Sequence, residues 1–303
     1  MNRHALNSST RACLFTVLAS SMLCLGAAAE SSGPTFASPT LEESLETQGF
    51  VPPNVRKGDA LSVAVYAYNG QWRAPDAPSP EQMRDDLLDL GLGVVMLDYA
   101  QHEKAVMPDL WQDGAAMMKK SFFRACGDAL SADVKEIFVV PEGFRLRNDV
   151  HFYTSPDNGL EVHAWVLHPI QAPRPLPLAI RYNKAGQWAG HLLAGIEFRG
   201  FARAWIGHPF NFDRGRDIFP TDRETHEKGL AYGRSAVRTL RARADEFSID
   251  PNRFLLSGIS KHGNMSVWVA ATGAEPAEDP KWGGRHHRQS SAVQCVVAKA
   301  TWG

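Results

Sequence analysis

Ser260 is the residue of this 303-residue chain whose setting best suits nucleophilic chemistry. It lies in the stretch Ile249 to Ala271, IDPNRFLLSGISKHGNMSVWVAA. A serine hydroxyl is a weak nucleophile unless a base takes its proton and fixed dipoles hold the charge that develops. The backbone around it therefore matters as much as the residue. Asp250-Pro251 opens the stretch as a turn, because proline fixes its own φ and pushes the preceding residue out of helix. Phe254, Leu255 and Leu256 form a short apolar run suited to a strand covered on both faces of a parallel sheet, and Gly258 ends it. Met265 to Ala271, alanine-rich and mostly apolar, predicts a helix packed on that sheet. The spacing places Ser260 on a strand-to-helix turn, lifted clear of the sheet with a helix N-terminus behind it. Such a turn is crowded, so its usual spacing is G-x-S-x-G. Gly258 and Ser260 fit; His262 stands at the second glycine, and Gly263 follows one position late.

Other reactive side chains are less organised. The 11 histidines are scattered, with no H-E-x-x-H and no paired C-x-x-C, so no metal and no cofactor are expected. Of the 4 cysteines, Cys13 and Cys24 fall in the N-terminal targeting segment. Cys126 and Cys295 remain, too few for a disulfide framework; one bridge is possible, although Cys295 sits in an apolar run and reads as a small buried hydrophobe. With 44% hydrophobic residues, 21% charged and a formal charge of −1, the composition is that of one large globular domain or two modest ones, and nothing points to nucleic acid.

The elements that must position Ser260 follow in chain order. Arg3 and Arg11 precede an apolar run from Ala12 to Leu25, and Ala27-Ala28-Ala29 supplies small residues for a signal peptidase. Residues 1–29 thus read as a signal peptide cleaved after Ala29, with a secreted or periplasmic mature chain and no membrane contact thereafter. Residues 30–57, rich in Ser, Pro, Thr and Glu, read as a flexible leader. Residues 58–140 form an α/β region of unclear role: strand Leu61 to Tyr66, helix Glu81 to Leu90, strand Gly93 to Tyr99 and helix Leu110 to Leu130. Tyr68-Asn69-Gly70-Gln71-Trp72 echoes Gly186-Gln187-Trp188, each following a strand, a match of three residues that a duplication would leave. Residues 141–303 open with an antiparallel hairpin, Phe144 to Thr154 and Leu160 to His168, turning at Pro156-Asp157-Asn158-Gly159. Then come strand Leu176 to Tyr182, loop Asn183 to Trp188, helix Ala189 to Arg199 and strand Phe201 to Ile206. A long helix with a Thr221/Glu224 capping box leads to the Ser260 strand. Strands alternating with helices predict an α/β fold with a mostly parallel sheet.

This order, with the IDPNRFLLSGIS block, the alanine-rich helix and SSAVQCVVAKATWG, resembles the α/β-hydrolases, and within them the esterase/lipase branch with its carbohydrate-esterase-like and feruloyl-esterase-like members. The resemblance covers about Phe144 to Gly303. It implies that Ser260 attacks an ester carbonyl and that backbone amides of Lys261 and of Ala185 or Gly186 hold the oxyanion, with Trp188 at the substrate. Lys184-Ala185-Gly186-Gln187-Trp188 replaces the usual H-G-G-G-W loop. The implied substrate is a small-molecule or carbohydrate-linked ester. In that family the triad acid and histidine follow later strands, whereas this sequence stops at Gly303, just after the strand Gln294 to Lys299. The partial domain is therefore expected to lack its C-terminal strands, to be weak or inactive, and to expose an apolar sheet edge. His286 and His287 lie in a polar loop, Glu275 to Ser290, that reads as surface, and His262 is too near Ser260 along the backbone to take its proton easily. The second expectation is a non-catalytic binding protein on a partial hydrolase scaffold, with a cleft lined by Trp188, Trp205 and Trp268.

Overall fold

The computed structural model describes residues 29–70, 75–100, 102, 113, 116–117, 119–183, 200–207, 223–277 and 279–299. Among these the fold is mixed α/β, with two larger sheets and a small hairpin. The first sheet contains β1 (Ala29–Ser32), β4 (Thr47–Val51), β5 (Ala60–Tyr68), β6 (Gly93–Asp98) and β7 (Asp133–Pro141). Between β1 and β4 the short strands β2 (Phe36–Ser38) and β3 (Glu43–Leu45) pair with each other. Helix α1 (Pro80–Asp89) joins β5 to β6, and α2 (Lys120–Leu130) precedes β7. Ser79 caps α1 in a reciprocal capping box with Gln82, and Pro80 supplies a preset φ in the first turn.

The second sheet carries the candidate site. It contains β8 (Phe144–Thr154), β9 (Glu161–Pro169), β10 (Leu176–Asn183), β11 (Ala202–Gly207), β12 (Ile249–Ile259) and β13 (Cys295–Lys299) in the order β13-β12-β10-β11-β9-β8. Strands β11, β10, β12 and β13 are mutually parallel, while β9 and β8 add antiparallel. Helix α3 (Arg223–Ala242) leads into β12, and α4 (Lys261–Ala271) leaves it. On β10 the side chains of both faces are buried, Leu178, Ile180 and Tyr182 on one and Ala179 and Arg181 on the other, as a central parallel strand requires. Tyr182 Oη donates to the Gly233 carbonyl of α3 at 2.7 Å, tying that helix over the sheet. The hairpin β8–β9 closes where its Asn158-Gly159 sequence predicts. Gly159 has φ +69°, and Asn158 Oδ1 accepts from the Leu160 amide at 3.0 Å.

The two large sheets are built alike. In chain order β1, β4, β5, β6 and β7 are arranged β1-β4-β6-β5-β7, and β8, β9, β10, β11 and β12 are arranged β8-β9-β11-β10-β12. Both begin with two antiparallel additions and end with three parallel strands, the first of the three lying in the middle. Tyr68, followed by Asn69, ends β5, and Tyr182-Asn183 ends β10. This five-strand correspondence extends the short Gly-Gln-Trp echo, whose residues 71–72 and 186–188 lie outside the described part. An apolar cluster joins the two sheets, with Phe138 of β7 stacked on Trp165 at 5.0 Å and edge-on to Trp205 at 5.2 Å.

Several expectations are corrected. Residues 30–57 are not a flexible leader. They supply β2 to β4 and most of β1, and Phe36, Leu45 and Phe50 are buried. Phe36 meets Phe122 of α2 edge-on at 5.3 Å; these sparse apolar residues find partners only across the sheet, so no local period announces them. Trp205 belongs to the core between the sheets rather than to a cleft. Cys295 is exposed on β13 and Cys126 is buried on α2, and both are free thiols. Residues 1–28, with most of the signal segment, lie outside the described part, as do Thr221 and the expected helix Ala189 to Arg199.

Candidate active site

Among the described residues two serines stand at helix starts, and their backbones differ. Ser79 has φ −63°, ψ 162° and accepts the Gln82 amide with its side chain, the extended conformation that helix-capping serines adopt. Ser260, between β12 and α4, has φ +57°, ψ −128° and makes no side-chain capping bond. A non-glycine residue held there costs on the order of 1–3 kcal/mol and persists only where the surroundings impose it. Those surroundings can be named. The Ser260 amide donates to the Lys299 carbonyl of β13 at 2.8 Å, and its carbonyl accepts from the Asn264 amide at 3.1 Å. The sheet fixes one side of the residue and the first helical turn the other. The side chain is exposed, above the C-terminal end of β12 and in front of the α4 N-terminus, whose amides favour developing negative charge.

Gly258 explains why the sequence deviates from the expected spacing without losing the turn. A β-carbon at Gly258 would lie 2.2 Å from the His262 carbonyl oxygen and 2.7 Å from the Gly263 nitrogen. Glycine is therefore required on the strand side, where α4 folds back onto β12. On the helix side His262 has an ordinary negative φ, being absent from the positive-φ residues, and its side chain is buried. Nothing there demands glycine.

The other expected site residues are distributed unevenly. Lys261 is the first residue of α4, so its amide is the first of the helix. Ala185, Gly186 and Trp188 lie outside the described residues. The corresponding corner of the first sheet is described, and there the loop after the central strand β5 presents its amides to a carboxyl oxygen. Asn69 N and Gly70 N donate to Glu142 Oε2 at 3.2 and 3.0 Å, and the Glu142 side chain is fully buried. Here β7 turns directly into β8 at Glu142-Gly143, with no serine and no following helix. Sequence reasoning missed Glu142 because the repeat that gives it meaning is one of strand order.

His286 and His287 do not approach Ser260. Their loop is pinned to the far edge of the sheet, where Gly284 bridges Tyr153 at the end of β8 and His287 Nε2 lies 2.8 Å from the Gly284 carbonyl. Four strand spacings separate β8 from β12, about 19 Å in a flat sheet. The polar stretch Glu275 to Ser290 is held down by a row of arginines on one face of α3. Arg234 donates to the Glu275 and Pro276 carbonyls at 2.7 and 3.0 Å, Arg238 to that of Arg285 at 2.9 Å, and Arg241 to those of Ser290 and Ala292. Burial lowers the Arg241 pKa from its usual value. Among the described residues no hydrogen bond joins Ser260 Oγ to an imidazole.

The class these observations define is a mixed α/β protein with an exposed serine on a strained strand-to-helix turn. No protein-family model and no curated protein matches the chain. Among solved structures it is similar to a truncated carbohydrate esterase from gut microbiota, with 17% identity over 50% of this chain and 57% of that one, TM-score 0.35. It is also similar to a thermophilic esterase of the planctomycete Thermogutta terrifontis, with 16% identity over 54% and 55%, TM-score 0.36. The chain thus spans little more than half the length of these esterases.

Proposed function

We propose that the protein is an exported serine hydrolase of the carboxylic-ester type, built on an α/β-hydrolase arrangement, with Ser260 as nucleophile. The observation that carries the proposal is the contrast between Ser79 and Ser260. A serine that merely capped a helix would have extended backbone and a bonded hydroxyl; Ser260 has φ +57° and an uncapped, exposed hydroxyl. In the proposed reaction Ser260 Oγ attacks an ester carbonyl and the alcohol leaves. The Lys261 amide and the amides of Ala185 or Gly186 hold the oxyanion, and Trp188 borders the acyl or sugar-linked substrate. The Glu142 corner supports the cradle, since the equivalent loop of the first sheet already turns two amides toward a carboxyl oxygen. Export is proposed from the basic, apolar and small-residue succession of residues 1–29.

Turnover in this chain is expected to be low. Without a hydrogen-bonded imidazole, a serine hydrolase loses on the order of 10⁴ to 10⁶ in rate. The same feature favours a second reading, a non-catalytic binding protein on a partial hydrolase scaffold. The experiment compares wild type with Ser260→Ala, using a fluorophosphonate probe and a short-chain aryl ester. Covalent labelling of wild type at Ser260, lost in the variant, supports the nucleophile even at a trace ester rate. Absence of labelling together with equal ester rates supports the binding protein.

A further inference from the structure

A second chemically competent cluster lies on the β8–β9 hairpin, away from Ser260. The antiparallel register sets His151 of β8 directly opposite His163 of β9. Because side chains alternate along a strand, Glu161 shares the face of His163. The two imidazoles are 5.2 Å apart between centroids, and one donor atom from each of His151, Glu161 and His163 lies within 4.8 Å of the other two.

The tautomer of His151 is set by its neighbours. Nε2 is 3.0 Å from the Tyr153 carbonyl oxygen and 3.0 Å from Thr154 Oγ1. A carbonyl only accepts, so Nε2 carries the proton and Nδ1 keeps its lone pair. Nδ1 in turn faces Glu161 Oε1 at 3.9 Å and receives a hydrogen bond from Arg285 Nη1 at 3.1 Å. Metal-ligating histidines are held in this manner, with one nitrogen bonded to an oxygen and the other presented neutral to the ion. Zinc takes His nitrogen and carboxylate oxygen at about 2.0–2.2 Å. Tetrahedral donors then stand roughly 3.3 Å apart, a contraction that the exposed side chains of Glu161 and His163 can make.

We propose that His151, Glu161 and His163 form a binding site for one divalent transition-metal ion of the zinc type, with its fourth position open. In the structure described, the guanidinium of Arg285 is the cation at His151 Nδ1. Arg285 is an exposed side chain whose backbone is anchored to α3, its amide donating to Ser235 Oγ at 2.6 Å. The metal must move the side chain while the loop stays in place. Arg285 is thus a built-in competitor for the site. The ion would cross-link the two strands of the hairpin. Neither strand contains a metal spacing of its own, since His151 and the Glu161/His163 pair come together only through the register.

The test is calorimetric titration of the intact chain with ZnCl₂, alongside Co²⁺ absorption as a report on coordination. Wild type should bind one ion at this site. His163→Ala and Glu161→Gln, both exposed substitutions whose folding is checked by circular dichroism, should each weaken zinc binding tenfold or more. Arg285→Ala should tighten it several-fold. Adventitious histidine binding elsewhere would leave the affinity within twofold in the His163 and Glu161 variants. That outcome, no zinc binding by wild type, or weaker binding on removing Arg285 would each overturn the proposal.

Discussion

Replacing Ser260 by glycine should stabilise the chain even though it removes the candidate nucleophile. At φ +57°, ψ −128° serine pays on the order of 1–3 kcal/mol for a conformation that its β-carbon disfavours, whereas glycine adopts positive φ freely. Against this stands glycine's greater backbone freedom in the unfolded chain, about 0.5–1 kcal/mol. The Ser260 side chain is exposed and makes no capping bond, so its loss removes little else. The net expectation is a gain of up to about 2.5 kcal/mol for Ser260→Gly. Ser260→Ala keeps the β-carbon and with it the strain, and should stay within about 0.5 kcal/mol of wild type. Urea unfolding followed by tryptophan fluorescence reads both variants; with unchanged slope, the midpoint of the glycine variant alone should move upward. Equal midpoints for glycine and alanine would refute the reasoning, because they would show that sheet and helix do not force this residue into positive φ. The strained turn, and with it the main support for a nucleophile, would then fall.

Gly258→Ala should do the opposite. Its new β-carbon meets backbone atoms of His262 and Gly263 at 2.2–2.7 Å, which no side-chain rotation can relieve, so a loss of about 3 kcal/mol or more and disappearance of probe labelling at Ser260 are expected; a variant within 1 kcal/mol of wild type would count against the described turn. Glu136 of β7 gives a pH signature. Burial raises its carboxyl from 4.5 to about 7, opposed by the Arg181 charge. The folded state therefore holds the proton more tightly than the unfolded state, and this contribution to stability is complete below pH 4.5 and is lost as the pH rises to about 7. Glu136→Gln should flatten the decline by about 1–2 kcal/mol between pH 4.5 and 7.5, and identical pH profiles for the two proteins would exclude it.

Local chemistry was readable wherever neighbours in sequence are also neighbours in space. The Phe254-Leu255-Leu256 run, Gly258 and the alanine-rich segment after it mark a strand, a turn and a helix, and β12 and α4 occupy those positions; Asp250-Pro251, expected as a turn before the strand, lies instead inside β12, where the pairing with β10 is irregular. Asn158-Gly159 marks the hairpin turn, and its strands fall within a residue or so of expectation. Cys295 shows the limit of this reasoning, because an apolar run says that a strand forms but not whether that strand is central or an edge.

The sequence by itself determined the class of the elements and the strand-to-helix corner that carries Ser260, because proline, glycine and hydrophobic period act over a few residues. Only the tertiary structure decided what depends on partners far apart in the chain. Phe36 and Phe50 turn residues 30–57 into strands only when the first sheet and α2 exist to receive them. The repeated strand order of the two sheets is a property of hydrogen-bond pairing, and three echoed residues are too few to encode it. Positive φ at Ser260 requires both the Lys299 carbonyl of β13 and the first turn of α4. The His151, Glu161 and His163 cluster exists because one register of the hairpin, fixed by a buried face and a tight turn, places two strands' side chains opposite each other.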